Sequence, residues 1–329
     1  MHQSNTPPSD VTVIVVNHDG GEHVLRCLAA IAAQIRLPEA VIVVDNASTD
    51  GSAAACAAAI AADQRLAERT RFVPLDTNEG FAAANNRGIA MADTAYVALL
   101  NPDAFPAPAW LAALLDAAAH RPDVTAFGSR QMLAGRDGVI DGLGDCYSLT
   151  GLAWRRGHGR RLVPADLAPR EIFSPCAAAA LYRRTAVVEA GGFDEDYFCY
   201  FEDVDLGLRL RLAGHRAWYV PAAVVEHVGG ASSGGRHSAT ATYFGHRNLV
   251  WTAVKGLPAP LFFVFLLAQI PQIILGVLVF ASRGRLRAFL HGKGDAVKGL
   301  EASLRKRRLV QRSRRVSAWT LWQSFDPPV

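Results

Sequence analysis

Three acids fall within four positions in "YFCYFEDVDLGLRL", where Glu202, Asp203 and Asp205 follow a run of aromatic side chains. Aromatic shelter strips a carboxylate of hydration and raises its basicity, and a basic carboxylate can take the proton of an attacking hydroxyl. Acids in a first helical turn also favour the helix dipole with no catalytic task. Helical spacing sends Asp203 and Asp205 to different faces. Glu202 or Asp203 is then the group expected in a cleft, with Asp205 paired to Arg209 at i+4.

Other polar groups stand at strand ends. Asp45, in "VVDNASTDGS", closes an apolar run. It either shapes a turn and helix cap or accepts from a base or ribose at the carboxyl edge of a parallel sheet. Asn78 and Asn86 add amides in "NEGFAAANNRG". Asp103, in "LLNPDAF", follows "YVALL" directly; it is either a turn residue or an oxygen ligand for a hard divalent cation that neutralises a diphosphate. His227, in "VVEHVGGASSGG", is either a satisfied structural histidine or, with the glycines and Ser232, part of a metal and diphosphate site.

The elements that must position these groups read as alternating units. Residues 11–16 (VTVIVV), 40–45, 71–75 and 96–101 predict strands, while 22–34 and 80–92 carry helical spacing. That rhythm implies βαβ units with right-handed crossovers, a mainly parallel sheet and flanking helices. The expected division is a disordered stretch at 1–9, a nucleotide-binding half at 10–105, a second half at 106–250, which the family resemblance given below makes the acceptor half, and a membrane-associated region at 251–329. Within the second half, 125–180 loosens into Gly- and Arg-rich loops, whereas 185–215 is helical around its carboxylates. No G-x-G-x-x-G follows the first strand and no G-x-x-x-x-G-K-[ST] occurs, which argues against a dehydrogenase or a P-loop enzyme.

The 329 residues carry a net charge of +4, unevenly spread. From Arg283 to Arg315, twelve Lys/Arg oppose Asp295 and Glu301, giving 12 − 2 = +10 there and 4 − 10 = −6 elsewhere. A basic tail beside the apolar stretch 257–282 points to an anionic membrane surface and not to nucleic acid. Gln269, Pro271 and Gln272 interrupt the middle of that stretch, and a single crossing would part the body from the basic tail. A re-entrant hairpin bent at Pro271, or two short interfacial helices, is therefore expected over one crossing; a buried core helix pair is the plain alternative. Five scattered cysteines without a C-x-x-C pair argue against structural zinc or a disulfide framework. No apolar leader is evident in "MHQSNTPPSD", so a cytoplasmic body is expected.

Six stretches in order, "VIVVNHDGG", "VIVVDNASTDGS", "NEGFAAANNRG", "LLNPDA", "GGFDEDYFCYFEDVDLGLRLRLAGHR" and "HVGGAS", resemble glycosyltransferase family 2, particularly its bacterial rhamnosyltransferase-like branch. The resemblance covers roughly residues 10 to 250. It implies a GT-A fold and inverting transfer from a nucleotide diphosphate sugar, helped by Mg²⁺ or Mn²⁺. By position, Asp45 would hold the base, Asn17 and His18 would line the same pocket, and Asn86 would lie near the ribose or diphosphate, with Asn78 on the nucleotide side. Asp103 matches the last acid of the D-x-D metal motif, whose first acid is Asn101 here. Asp203 matches the general base of the family's "ED" pair, with Glu202 beside it. The loop "SPCAAAALYRR" departs from the usual Gly-Ala at Cys176 and Ala177.

A dTDP-sugar such as dTDP-rhamnose, or a UDP-sugar, is the implied donor. The tail fits a glycan or polyprenyl-linked acceptor of cell-envelope polysaccharide assembly, at the cytoplasmic side of the bacterial inner membrane. Two other readings compete: a nucleotidyltransferase, which would normally show a basic Gly-rich loop where "NHDGGEHV" has no Lys or Arg, and a non-catalytic membrane-associated scaffold that binds nucleotide sugars.

Overall fold

The computed structural model describes residues 9–229 and 238–327. The first half runs β1 (Ser9–Asn17), α1 (Gly21–Ala32), β2 (Pro38–Asp45), α2 (Ser52–Ala62), α3 (Gln64–Ala67), β3 (Thr70–Pro74), α4 (Gly80–Met91) and β4 (Tyr96–Leu100). The four strands and the helices α1 and α4 are those that the periodicity predicts; α2 and α3 are additions. β1 pairs in parallel with β2 and β4, and β2 in parallel with β3. Such strands are covered on both faces, so they read as unbroken apolar runs.

Alternation along β1 sorts its side chains between two cores. Val13 and Val15 pack with Val24 and Leu28 of α1, while Ile14 and Val16 pack with Ile89 of α4. Gly88 of α4 lets that helix approach, since a Cβ there would stand 2.5 Å from Ile14. The register sets Asn17 beside Asp45 at the carboxyl edge, where an open α/β sheet takes its ligands.

The second half adds β5 (Ala104–Pro106), α5 (Trp110–His120), β6 (Ala126–Leu133), β7 (Ile140–Gly142), β8 (Asp145–Tyr147), β9 (Ala153–Arg155), β10 (Arg170–Ile172), β11 (Ala179–Arg183), α6 (Arg184–Glu189), α7 (Glu202–Leu212) and β12 (Ala217–His227). The spatial order is β10-β12-β6-β11-β4-β1-β2-β3. β11 runs antiparallel between β4 and β6, beside the site, and β10 runs antiparallel to β12 at the sheet's edge. Residues 125–180, expected as loops, instead hold these short strands, with Asp141 and Asp145 buried among them.

The chain continues as α8 (Ala239–Gly256), α9 (Ala259–Ser282), α10 (Leu286–Lys298), α11 (Leu300–Arg312) and α12 (Ala318–Trp322). The boundary expected at 250/251 falls inside α8. The hairpin expected at Pro271 is corrected too: α9 is one 24-residue helix with Pro271 inside it. An interior proline costs a helix about 3 kcal/mol, and packing along α9 offsets this. Phe265 is buried in a cluster with Leu249 and Leu208, Gly276 abuts the Phe289 ring, and Gln272 Nε2 donates to Thr150 O at 3.1 Å. The glutamines thus face the body, and the opposite side exposes Phe263, Leu267, Ile270, Ile274 and Leu278. Among the described residues α9 alone is long and apolar enough to cross a membrane. The expected disordered stretch lies, apart from Ser9 in β1, outside the described residues, as does Ser232.

Candidate active site

A cavity of about 500 Å³ opens at the carboxyl edge of β1 and β4. One wall is a polar network. His18 Nδ1 lies 3.0 Å from Asn46 O and its Nε2 lies 2.9 Å from Asn78 Nδ2. A carbonyl accepts only, so Nδ1 carries the proton and Nε2 accepts from the amide, which makes the ring neutral. Asn78 Oδ1 then accepts from Asn46 Nδ2 at 2.9 Å and Gly80 N at 2.9 Å, and Asn46 Oδ1 from Glu79 N at 2.8 Å. Sequence reasoning passed over Asn46, although it follows Asp45 directly.

Asp45 and Asn17 stand behind this wall, 3% and 0% exposed, and do not line the cavity. Asp45 Oδ1 accepts from Asn17 Nδ2 and Ser48 Oγ, both at 2.7 Å, and Oδ2 from Ser48 N at 3.1 Å. The turn-forming alternative is what the geometry holds, and it corrects the expectation of Asp45 as a pocket surface. Asn86 is corrected as well. Its amide donates to Phe193 O and Glu195 Oε1 at 2.9 Å and accepts from Phe193 N at 2.8 Å, beside a different cavity. It staples α4 to the approach of α7.

The middle of the cavity brings Asn101, Asp103 and His227 together. Asp103 sits in the turn between β4 and β5, where its Oδ2 accepts from Gly229 N at 3.1 Å. His227 ends β12, with Nε2 3.2 Å from Asp103 Oδ1 and Nδ1 2.8 Å from Asp141 Oδ2. Burial disfavours the imidazolium, but Asp103 and Asp141 outweigh it and raise the His227 pKa. Asp141 is pushed up by burial, yet Arg155, His158 and His227 together hold it well below the usual carboxylate range. Arg155 Nη1 donates to Asp141 Oδ2 at 2.5 Å. Asp141 and Arg155 escaped the sequence reading because they lie in a stretch without periodicity.

The far end is the start of α7. Asp203 is half-buried and lines the cavity; its Oδ1 accepts from Val204 N at 2.8 Å and its Oδ2 from Ala177 N at 3.2 Å. Glu202 is 7% exposed, and burial first, then the neighbouring Asp203, raise its pKa well above the ordinary glutamate value. Burial and the neighbouring acid thus favour the protonated form of Glu202, beside Asp203, whose side chain two backbone donors hold. Asp205 points away, pairing with Arg209 Nε and Lys255 Nζ, each at 2.8 Å, and accepting from Tyr197 OH at 3.1 Å. The i+4 pair is as the spacing predicts; the lysine from α8 is an addition.

A strained turn delivers these acids. Phe198, Tyr200 and Phe201 have φ of 63°, 65° and 70°, a region that side chains with a Cβ rarely adopt. Phe198, with ψ of −65° and Cys199 N donating to Tyr197 O at 2.7 Å, centres a γ-turn of the rare positive-φ kind. Asn248 of α8, fully buried, holds the turn: its Nδ2 donates to Tyr197 O, Cys199 O and Tyr200 O at 3.1, 2.9 and 2.7 Å. Arg247 Nη2 adds bonds to Asp196 O and Tyr197 O at 2.9 Å. The one signal for Asn248 in the sequence is an amide in a helix where an apolar residue would serve.

The family profile described as Glycosyl transferase family 2 matches residues 12–190, more than half of the chain. The chain is 33% identical over 273 residues to an N-acetylglucosaminyl-diphospho-decaprenol L-rhamnosyltransferase of Mycobacterium tuberculosis, covering 73% of this chain and 85% of that relative. The mannosyltransferase PcManGT of Pyrobaculum calidifontis, solved with GDP-Man and Mn²⁺, superposes with a TM-score of 0.56 at 21% identity over 94% of this chain and 86% of that one. Staphylococcus aureus TarS 1-349, solved with UDP-GlcNAc, gives 0.57 at 16% identity over 95% and 90%. These two likenesses carry the fold, which is GT-A-like. By the family profile and by the extent of the rhamnosyltransferase match, the chain belongs to glycosyltransferase family 2, an inverting family of enzymes.

Proposed function

We propose that the protein transfers a sugar, rhamnose first among the choices, from a dTDP- or UDP-linked donor to a glycan on a polyprenyl carrier. The observation that carries this reading is Asp203: a carboxylate in a shared cleft, fixed by two backbone N–H groups, while its neighbours Glu202 and Asp205 are neutral or committed. Asp203 takes the proton from the acceptor hydroxyl as that oxygen attacks the anomeric carbon. The bond from that carbon to the diphosphate breaks on the opposite face, so the configuration inverts. Glu202, still protonated, is left to donate a hydrogen bond at the acceptor side.

The nucleotide fits the wall of His18 and Asn78, with Asn17 and Asp45 shaping it from behind. Asn101, Asp103 and His227 suit a divalent cation. Asn101 Oδ1 is buried without a hydrogen-bond partner among the described residues, and His227 Nε2 lies 3.2 Å from Asp103 Oδ1, so the three groups converge on one point of the cleft. An O,O,N set of this kind accepts Mg²⁺ or Mn²⁺, which would neutralise the leaving diphosphate. Asn101 contributes its amide oxygen without charge.

The exposed apolar side of α9, flanked by the basic stretch after Arg283, supports docking on an anionic bilayer at the cytoplasmic face, where a lipid-linked acceptor resides. The rhamnosyl relative, whose name specifies a decaprenol-linked acceptor, supports the same choice. The test is a transfer and donor-hydrolysis screen over dTDP- and UDP-sugars, with and without Mn²⁺, on the intact chain and on Asp203→Asn. Asp203→Asn should lose about 10²- to 10⁴-fold in turnover with donor affinity kept. Turnover within a few-fold of the unchanged chain would remove Asp203 from the chemistry.

A further inference from the structure

We propose that the floor of the cleft forms a second cation site, selective for thiophilic divalent ions of the zinc class, from Asp145, Cys176 and Asp203. One oxygen of each carboxylate and Cys176 Sγ all lie within 4.8 Å of one another. The three come from different places in the fold: Asp145 opens β8, Cys176 stands in the loop before β11, and Asp203 lies in the first turn of α7. Asp145 and Cys176 are buried, whereas Asp203 is half-buried, and all three line the same cavity, so an ion enters from the cleft. A tetrahedral shell with zinc bonds of about 2.0–2.3 Å has edges of about 3.5 Å, so closure requires side-chain shifts of roughly an ångström.

A separate observation points to the same ion. Glu202 Oε2 is buried without a hydrogen-bond partner among the described residues, and Glu202 lines this cavity. Its carboxyl is close enough to Asp203 and Asp145 for both to act on it electrostatically. Glu202 stands at the cavity wall beside the three-ligand set and not within it, so the fourth position of the shell is left to solvent.

The chemistry separates this set from Asn101, Asp103 and His227. Hard oxygens with one imidazole suit Mg²⁺ or Mn²⁺, whereas a thiolate among carboxylates favours Zn²⁺ or Cd²⁺. Burial keeps the Cys176 proton in place; the incoming ion displaces it to solvent and takes the thiolate. Such an ion occupies the carboxylate that receives the acceptor proton, so it inhibits transfer without displacing the donor. That consequence rests on the proposed function; the binding does not.

The experiment titrates the metal-stripped full chain with Cd²⁺ and follows the sulfur-to-cadmium charge-transfer absorption. The expected band saturates at one equivalent, disappears in Cys176→Ser, and in Asp145→Asn requires about tenfold more Cd²⁺ or beyond. In transfer assays with saturating Mn²⁺, Cys176→Ser should need about tenfold more Zn²⁺ for half-inhibition than the unchanged chain. A cadmium band that survives Cys176→Ser, or equal Zn²⁺ inhibition of the two chains, overturns the site. A band that behaves as expected on a chain that transfers no sugar upholds the site and removes the proposed function instead.

Discussion

Asn248→Ala removes the clamp on the turn that presents Asp203. The Nδ2 group has two hydrogens shared among three carbonyls, one buried and two part-buried. An unsatisfied carbonyl costs about 1–3 kcal/mol when buried and less where water reaches it, so loss of two hydrogens' worth of bonding sets the penalty near 2–4 kcal/mol. On the other side, Phe198, Tyr200 and Phe201 each hold positive φ, at about 1–2 kcal/mol per residue. Summed over the three residues the strain is about 3–6 kcal/mol, at least as large as the clamp, so without Asn248 the turn relaxes. Asp203 begins two residues beyond it, and a misplacement of about 1 Å costs on the order of 10²-fold in rate. The assay pairs denaturant unfolding with steady-state transfer kinetics. Stability should fall by about 2–4 kcal/mol and kcat by about 10²-fold. The donor KM should move less than kcat, because His18 and Asn78 bond to residues 46 and 80 and not to the carbonyls that Asn248 holds. Unfolding within about 0.5 kcal/mol of the unchanged chain, together with an unaltered kcat, would refute the clamp.

Glu202→Gln mimics the protonated acid, so transfer should stay within about threefold, against the large loss expected of Asp203→Asn; a hundredfold loss would show that Glu202 works ionised. Lys293, whose Nζ donates to Gln269 Oε1, has its pKa pushed down to about 8 by burial, from an ordinary 10.5. The buried charge therefore destabilises the fold fully below pH 8, and the penalty fades as pH rises toward 10.5. Lys293→Met should stabilise by about 2–3 kcal/mol at pH 7, with the gain gone near pH 10.5; thermal melts across that range check the trend. Charging the exposed side of α9 with Leu267→Glu and Ile274→Glu should release the protein from anionic vesicles in sedimentation while leaving its melting temperature within a few degrees.

The parallel half was legible because buried strands are written as apolar runs: "VTVIVV", "AVIVVD" and "YVALL" each became a strand within two residues. Asp203, Asp103 and His227 were legible as polar groups at the ends of such elements. The misreadings have one physical source, contacts distant in sequence. Asn86 lies in the expected stretch, but its amide is drawn to residues 193–195, about a hundred positions on. Pro271 was weighed by local propensity alone, whereas the Thr150 loop and α10 pack along α9, which continues as one helix through it. Asn248, Asp141 and Arg155 take their meaning from partners dozens of residues away.

The position of α8 also limits how the molecule can be divided. Its Asn248 secures the catalytic turn, its Lys255 reaches Asp205, and Lys306 of α11 joins Lys255 on Asp194. The apolar helix follows α8 after a two-residue break. The apolar helix is thus no cassette: grafting it onto another protein, or trimming it away together with α8, would export or delete part of the scaffold that holds Asp203 in place. Lineages that exchange tails between such transferases would have to exchange the matching 190–205 segment with them.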